Sequence, residues 1–169
     1  MKTLPILPVF CAGTIFFLSC SSGDGGNGTF QKNDSICLRQ FLTAWNDAHN
    51  KRDSLVFEKQ YEDTVSFYGA NEARKKCISL KSSFFRKYPA FGQEIVGEIK
   101  MDLLSPNECK CSFGKKVTLK TNAVLYPAYL IFRKVNGDWK IKAESDLETD
   151  RYLEKRKEGI SGEKQTIPG

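Results

Sequence analysis

The residues able to carry proton or ligand chemistry in this chain are few and scattered. His49 is the single histidine, and it falls near the end of a helical pattern. An imidazolium there would interact favourably with the helix dipole, so the position suits a cap or surface residue as well as a proton carrier. Asp63 follows Tyr61 at a turn, where a carboxylate is solvated or capping. Glu144-Ser145-Asp146, with Glu148 and Asp150, concentrates acid after an apolar strand. That group lacks the spaced oxygen ligands and the glycine of a calcium loop, so Asp146 is expected to cap a turn at Leu147. No Ser-His-Asp spacing and no glycine-rich phosphate loop occurs. His49 and Asp63 are therefore the candidate catalytic residues, and neither a metal nor a cofactor is expected.

Cys20 stands apart from the other cysteines. It ends the apolar run Ile15-Phe16-Phe17-Leu18 with Ser19 before it, and Ser21-Ser22-Gly23-Asp24-Gly25-Gly26-Asn27-Gly28 follows. The run is shorter than the roughly 20 apolar residues of a membrane span and has the form of a secretory signal. The junction Leu18-Ser19-Cys20 resembles a bacterial lipobox, in which the cysteine becomes the acylated first residue. The Gly/Ser-rich tract is the flexible tether that an anchored domain needs. The expected organisation is a lipoprotein signal peptide over 1–19, lipidated Cys20 with its tether to 33, one domain over 34–154 and a disordered tail over 155–169. The partner implied is a membrane, reached through palmitate-type chains, in a bacterial cell envelope.

Four cysteines follow the tether: Cys37, Cys77, Cys109 and Cys111. Export permits disulfides among them; equally, they read as four small buried hydrophobes. No CxxC occurs, and Cys109-x-Cys111 has no histidine nearby, so zinc is not expected. The chain has 26 Lys and Arg against 20 Asp and Glu, a net charge of +6. Lys110, Lys115, Lys116 and Lys120 cluster in a strand pattern with few aromatic neighbours. A solvated sheet face explains them, and nucleic acid is not an expected partner.

The elements that hold these residues follow from hydrophobic period. Asp34 or Ser35 caps a helix to about Asn50, with Cys37, Phe41, Ala44, Trp45 and Ala48 on its buried face. A short helix from Ser54 to Gln60 presents Leu55 and Phe57. Thr64 to Tyr68 is β-rich and ends at Gly69. Asn71 caps a third helix with the stripe Ala73, Cys77, Leu80, Phe84 and Tyr88, which Pro89 stops. The period then becomes two. Ile95 to Leu103 alternates, as does Cys109 to Leu119, while Ala123 to Val135 is apolar on both faces like a central strand. Asn136-Gly137 is a type I′ hairpin signal. It pairs Val135 with Asp138, Lys134 with Trp139, Phe132 with Ile141 and Leu130 with Ala143. Trp139, Ile141 and Ala143 then face inward; Asp138, Lys140, Lys142 and Glu144 face outward. The sum is an α+β fold in which a curved antiparallel sheet wraps around N-terminal helices.

This order resembles the nuclear transport factor 2-like superfamily, the cone-shaped fold of ketosteroid isomerase, scytalone dehydratase and polyketide cyclases. The residues that carry the likeness are Phe41-x-x-x-Trp45-Asn46 with Arg52-Asp53, Tyr61-Glu62-Asp63-Thr64-Val65, Phe67-Tyr68-Gly69 and Asn136-Gly137-Asp138-Trp139-Lys140-Ile141. The resemblance implies a cone able to hold a small hydrophobic molecule, lined by Phe41, Trp45, Phe57, Tyr61, Phe67, Phe84, Leu130 and Phe132, or else filled by those side chains. It also implies a homodimer through the outer sheet face, where Lys110, Lys116, Lys120, Arg133, Lys140 and Lys142 would need compensating acids. The catalytic tyrosine of the isomerases falls on Phe41 and their base on Phe67 or Ser66, none of which takes a proton near neutral pH. The expected interior is thus apolar and without a catalytic pair. The expected function is binding of a small hydrophobic ligand or a partner segment; the alternative is a dehydratase or cyclase using His49 or Asp63.

Overall fold

A computed structural model describes Phe30 and residues 32–162. The signal segment, Cys20 and nearly all of the tether lie outside the described residues. Helix α1 spans Lys32–Lys51 and α2 Ser54–Gln60; strand β1 spans Tyr61–Phe67 and β2 Ala70–Ala73; α3 spans Arg74–Lys87. Four long strands follow, β3 Phe91–Ser105, β4 Glu108–Leu119, β5 Asn122–Val135 and β6 Asp138–Asp146, and α4 spans Leu147–Gly162. The strands form one sheet in the order β2-β1-β6-β5-β4-β3. Every neighbouring pair is antiparallel except β1 with β6, which is parallel. The architecture is α+β, with a curved, unclosed mixed sheet.

The core sits between the sheet's inner face and α1 to α3. Leu38, Leu42, Trp45 and Ala48 of α1 meet Leu130, Phe132 and Ile141 of the sheet, all essentially inaccessible to solvent. Asp34 is not a terminal cap. It lies within the first turn of α1, buried, where Trp139 Nε1 donates to it at 3.0 Å and Lys134 Nζ at 2.7 Å. This contact ties the start of α1 to the tip of the last hairpin. Cys37, Cys77, Cys109 and Cys111 are all buried and no disulfide joins any two of them, which is the small-hydrophobe reading.

Several local expectations shift. Asn71 belongs to β2, and α3 starts from Ala73, which makes no side-chain cap bond. The buried face of α3 is Cys77, Ile78, Lys81 and Phe85, rotated from the stripe of apolar letters. Ala44 and Leu55 are exposed, as are Val124 and Leu125 in the first half of β5, so that strand is not central over its whole length. Residues 155–162 are helical: α4 continues past 154, and Leu153 packs on Gly69. No helix among the described residues is long and apolar enough to cross a membrane.

The last hairpin keeps the expected register from Val135↔Asp138 to Phe132↔Ile141 and then breaks it. The next pairs are Ile131↔Ala143 and Leu130↔Glu144, so Lys142 is an extra residue, a β-bulge. A bulge shifts the strand's alternation by one. Glu144, outward by strict alternation, is instead opposite inward-facing Leu130 and 2% exposed.

Candidate functional site

The bulge in β6 delivers a carboxylate into the cone, and the helices deliver its partners. Glu144 Oε2 accepts from Trp45 Nε1 of α1 at 3.1 Å and from the Tyr61 hydroxyl at the start of β1. Its Oε1 accepts from Lys81 Nζ of α3 at 2.6 Å and from the Tyr68 hydroxyl at 3.4 Å. Four donors on one buried carboxylate favour its ionised form. Burial alone would raise the Glu144 pKa; the Lys81 ammonium and the hydroxyl and imidazole neighbours overcome that and hold it at about 2. Burial and the nearby Glu144 charge push the Tyr61 and Tyr68 hydroxyls well above their ordinary value, so both stay donors.

His49 lies one turn beyond Trp45 on α1 and is 5% exposed. Its Nδ1 sits 2.7 Å from the Trp45 carbonyl, which can only accept, so Nδ1 carries the proton. Nε2 is therefore an acceptor, and Lys81 Nζ donates to it at 2.7 Å. Burial and then the Lys81 charge lower the His49 pKa to about 3. The expected imidazolium at a helix end is thus corrected: His49 is a neutral, buried acceptor.

Lys81 links the two groups. Its ammonium lies 5.1 Å from the Phe57 ring centroid, 5.2 Å from Phe67, 5.6 Å from Trp45 and 5.8 Å from Tyr61. Aromatic faces at such distances attract a cation. Burial lowers the Lys81 pKa, and the Glu144 charge opposes that shift. A second cation, Lys115 of β4, donates to the Tyr68 hydroxyl at 3.0 Å and approaches Asp146 Oδ2 at 3.4 Å. Asp146 Oδ1 accepts from Thr149 N at 2.9 Å and so caps α4, as its position before Leu147 leads one to expect.

Tyr68 occupies an uncommon backbone conformation. With Gly69 it forms the two-residue loop between β1 and β2, and their φ angles are +49° and +83°. Glycine and asparagine adopt such angles easily, while a tyrosine does so at a cost of about 1–3 kcal/mol. The Tyr68 amide donates to the Glu144 carbonyl at 2.9 Å, which holds the turn against β6 and aims the phenol at Glu144 and Lys115.

These groups form the inner end of an open cavity of about 420 Å3. His49, Tyr68, Lys81, Gln93, Lys115 and Asp146 give it a polar end. Phe67, Leu80, Phe84, Phe85, Phe91, Val117, Leu119 and Tyr126 give it an apolar wall. Glu144 lies behind Lys81 and does not line it. The expectation of an apolar interior without polar pairs is overturned. His49 stands in an open cavity within hydrogen-bond reach of Lys81, and the strand bulge and the rotated face of α3 are the physical reasons.

The sequence-named residues divide accordingly. Phe67, Phe84 and His49 line the cavity. Trp45 and Tyr61 are fully buried beside it as donors to Glu144. Phe132 is fully buried, and Phe41 packs edge-on against it at 6.2 Å, away from the cavity. Asp63 is on the surface, its side chain 91% exposed and paired with Arg74 at 2.7 Å. Lys81, Lys115, Tyr68 and Glu144 were not among the candidates. For Lys115 a signal exists, because the alternation that turns Phe113 and Val117 inward turns Lys115 inward as well.

The fold is the nuclear transport factor 2-like, or cystatin-like, cone. Among similar solved structures is a domain of unknown function with a cystatin-like fold from Nostoc punctiforme, at TM-score 0.60 and 16% identity over 81% of this chain and 100% of that one. An NTF2-like protein of unknown function from Pseudomonas putida has TM-score 0.58 and 11% identity over 70% of this chain and 88% of that one. Another, from Shewanella oneidensis, has TM-score 0.54 and 13% identity over 66% and 97%. No family model and no curated protein matches the sequence.

Proposed function

We propose that the domain binds a small, largely hydrophobic molecule in this cavity without transforming it, on a protein anchored to a bacterial envelope membrane through Cys20. The observation that carries the binding reading is the cavity itself, an apolar wall of phenylalanine and aliphatic side chains ending in a few convergent polar groups. Sites for small organic molecules have this composition. The bases of the cluster are occupied: His49 Nε2 accepts from Lys81, and the Glu144 oxygens accept four donors. A base whose lone pairs are taken is a poor proton abstractor, which favours binding over catalysis. The anchoring reading is supported by the Leu18-Ser19-Cys20 junction and the Gly/Ser tract behind it.

The test is a panel of hydrophobic ligands, scored by melting temperature and by quenching of tryptophan fluorescence, with native mass spectrometry of the purified protein. Trp45, beside the polar end, is the expected reporter. A bound mass, or a shifted melting temperature with quenching, supports the reading. No response from any ligand sinks it.

The same cluster gives the dehydratase or cyclase alternative a specific form. Lys81, on the cavity wall between His49 and Glu144, would act as a general acid toward a leaving hydroxyl. Ligand recovered unchanged after incubation speaks for binding. Loss of water from it, abolished in Lys81→Met, speaks for the enzyme.

A further inference from the structure

The polar end of the cavity selects among hydrophobic molecules. We infer that the ligand is an amphipathic monocarboxylate, its carboxylate held between Lys81 and Lys115 and its hydrocarbon body lying along Phe84, Phe85, Phe91 and Val117. This deepens the binding reading above and rests on it.

The donor count carries the inference. An ammonium has three N–H groups. Lys81 gives two of them, to Glu144 Oε1 and His49 Nε2. Lys115 gives one to the Tyr68 hydroxyl at 3.0 Å and one, long, to Asp146 Oδ2 at 3.4 Å. Among the described residues the remaining N–H of each has no acceptor. Both lysines are 6% exposed, on the wall of the cavity. An ammonium N–H on such a wall pairs with whatever acceptor the cavity holds, and a carboxylate is a stronger acceptor than a neutral oxygen.

No carboxylate of the cluster is free to complete them. Glu144 is enclosed behind Lys81 by four donors, and Asp146 is held in place by the α4 amide it caps. A ligand carboxylate has two oxygens and can accept from both lysines in charge-assisted bonds. A ligand ammonium would add a third cation where the carboxylates are already engaged. Each lysine already faces one protein carboxylate, so the cluster has no net positive charge to balance a dianion such as phosphate, and one carboxylate group is the most that the two remaining N–H groups can take. Tyr68, raised into its left-handed turn, keeps Lys115 at the mouth of this end.

The experiment uses the purified full chain with three probes of one chain length, decanoate, decanol and decylamine, and with inorganic phosphate, each titrated by calorimetry and tryptophan quenching. Decanoate is expected to bind about tenfold or more tighter than decanol, the scale of one charge-assisted contact. Decylamine and phosphate are expected not to compete with it. Lys115→Met should remove the preference, decanoate then binding no tighter than decanol to the same variant. The double variant Lys81→Met/Glu144→Gln, which strands no charge, should do the same. Equal binding of decanoate and decanol, or a preference for decylamine or phosphate, overturns the carboxylate inference and leaves the cavity reading standing. No binding of any decyl probe overturns both.

Discussion

Lys81 Nζ lies 2.6 Å from Glu144 Oε1, and the two side chains are only 7% and 3% exposed. One comes from the middle of a helix and the other from a bulged strand. Their meeting makes the cone's interior ionic. A buried pair of this kind contributes little net stability compared with apolar residues, but losing one partner leaves the other charged and unsolvated.

Glu144→Gln keeps the shape of the side chain and removes its charge. The variant is expected to lose about 3–5 kcal/mol, the usual cost of breaking a buried pair. Urea unfolding measures it. Lys81→Met added to Glu144→Gln should recover much of the loss, because no ammonium then remains stranded. A single variant as stable as the parent would show that the pair is not formed.

Acid should weaken the fold well before ordinary carboxylates titrate. The His49 pKa is about 3 in the folded state against an ordinary 6.5. Between those values the unfolded chain takes up a proton that the folded chain refuses, so stability is complete above pH 6.5 and declines below it. Glu144, at about 2 against 4.5, adds a second loss: its stabilisation is present above pH 4.5 and disappears as the pH falls toward 2. Each such proton contributes a slope of at most about 1.4 kcal/mol per pH unit. Unfolding free energies at pH 7, 6 and 5 should fall in that order, and His49→Gln should flatten the series. A parent protein with equal stability at pH 7 and 5 would contradict a buried neutral His49.

Gly69→Ala tests how α4 is seated. Gly69 has φ +83°, and a Cβ there would lie 2.1 Å from Leu153 Cδ1. Backbone strain of about 1–3 kcal/mol is expected from the angle alone, and the collision adds to it. The melting temperature should drop, and protease cleavage within α4 should quicken. Gly69→Ala with Leu153→Ala should regain the steric part and keep the backbone part.

Cys20→Ala is expected to prevent acylation and to move the protein from the membrane to the soluble fraction. Labelled palmitate and cell fractionation report the two effects. Continued membrane association of the variant, with no label on the parent, would refute the anchor.

The fold was legible where sequence period and local chemistry agree. Asn136-Gly137 sets the hairpin and its register as far as Phe132↔Ile141, because a two-residue turn admits one pairing. The first three helices and the four long strands lie near where the switch from a period near 3.6 to two puts them, whereas β2 and most of α4 do not. The site was hidden for three physical reasons. The bulge at Lys142 reverses an alternation that Trp139 and Ile141 obey. The lysine stem of Lys81 is apolar enough to sit on a buried face, while its one-letter type reads as surface. Leu80, an apolar letter that suggests core, lines an open cavity and is 39% exposed. The outer face, by contrast, explains itself. Lys116, Lys142 and Arg133 find Glu94, Glu108 and Glu62 within the chain.

The bulge also decides which side chains of β6 the cone receives. In the bulged form Glu144 stands opposite Leu130 and meets Lys81, Tyr61 and Trp45. In an unbulged form Ala143 would take that place, Glu144 would turn to the outer face, and Lys81 would keep His49 but lose its carboxylate. The bulged form is held by the pull of four donors on one carboxylate, together with the Tyr68 amide on the Glu144 carbonyl. The polarity of the cone is therefore a matter of strand phase. A slip of a single residue would empty the cone of negative charge without changing a letter of the sequence.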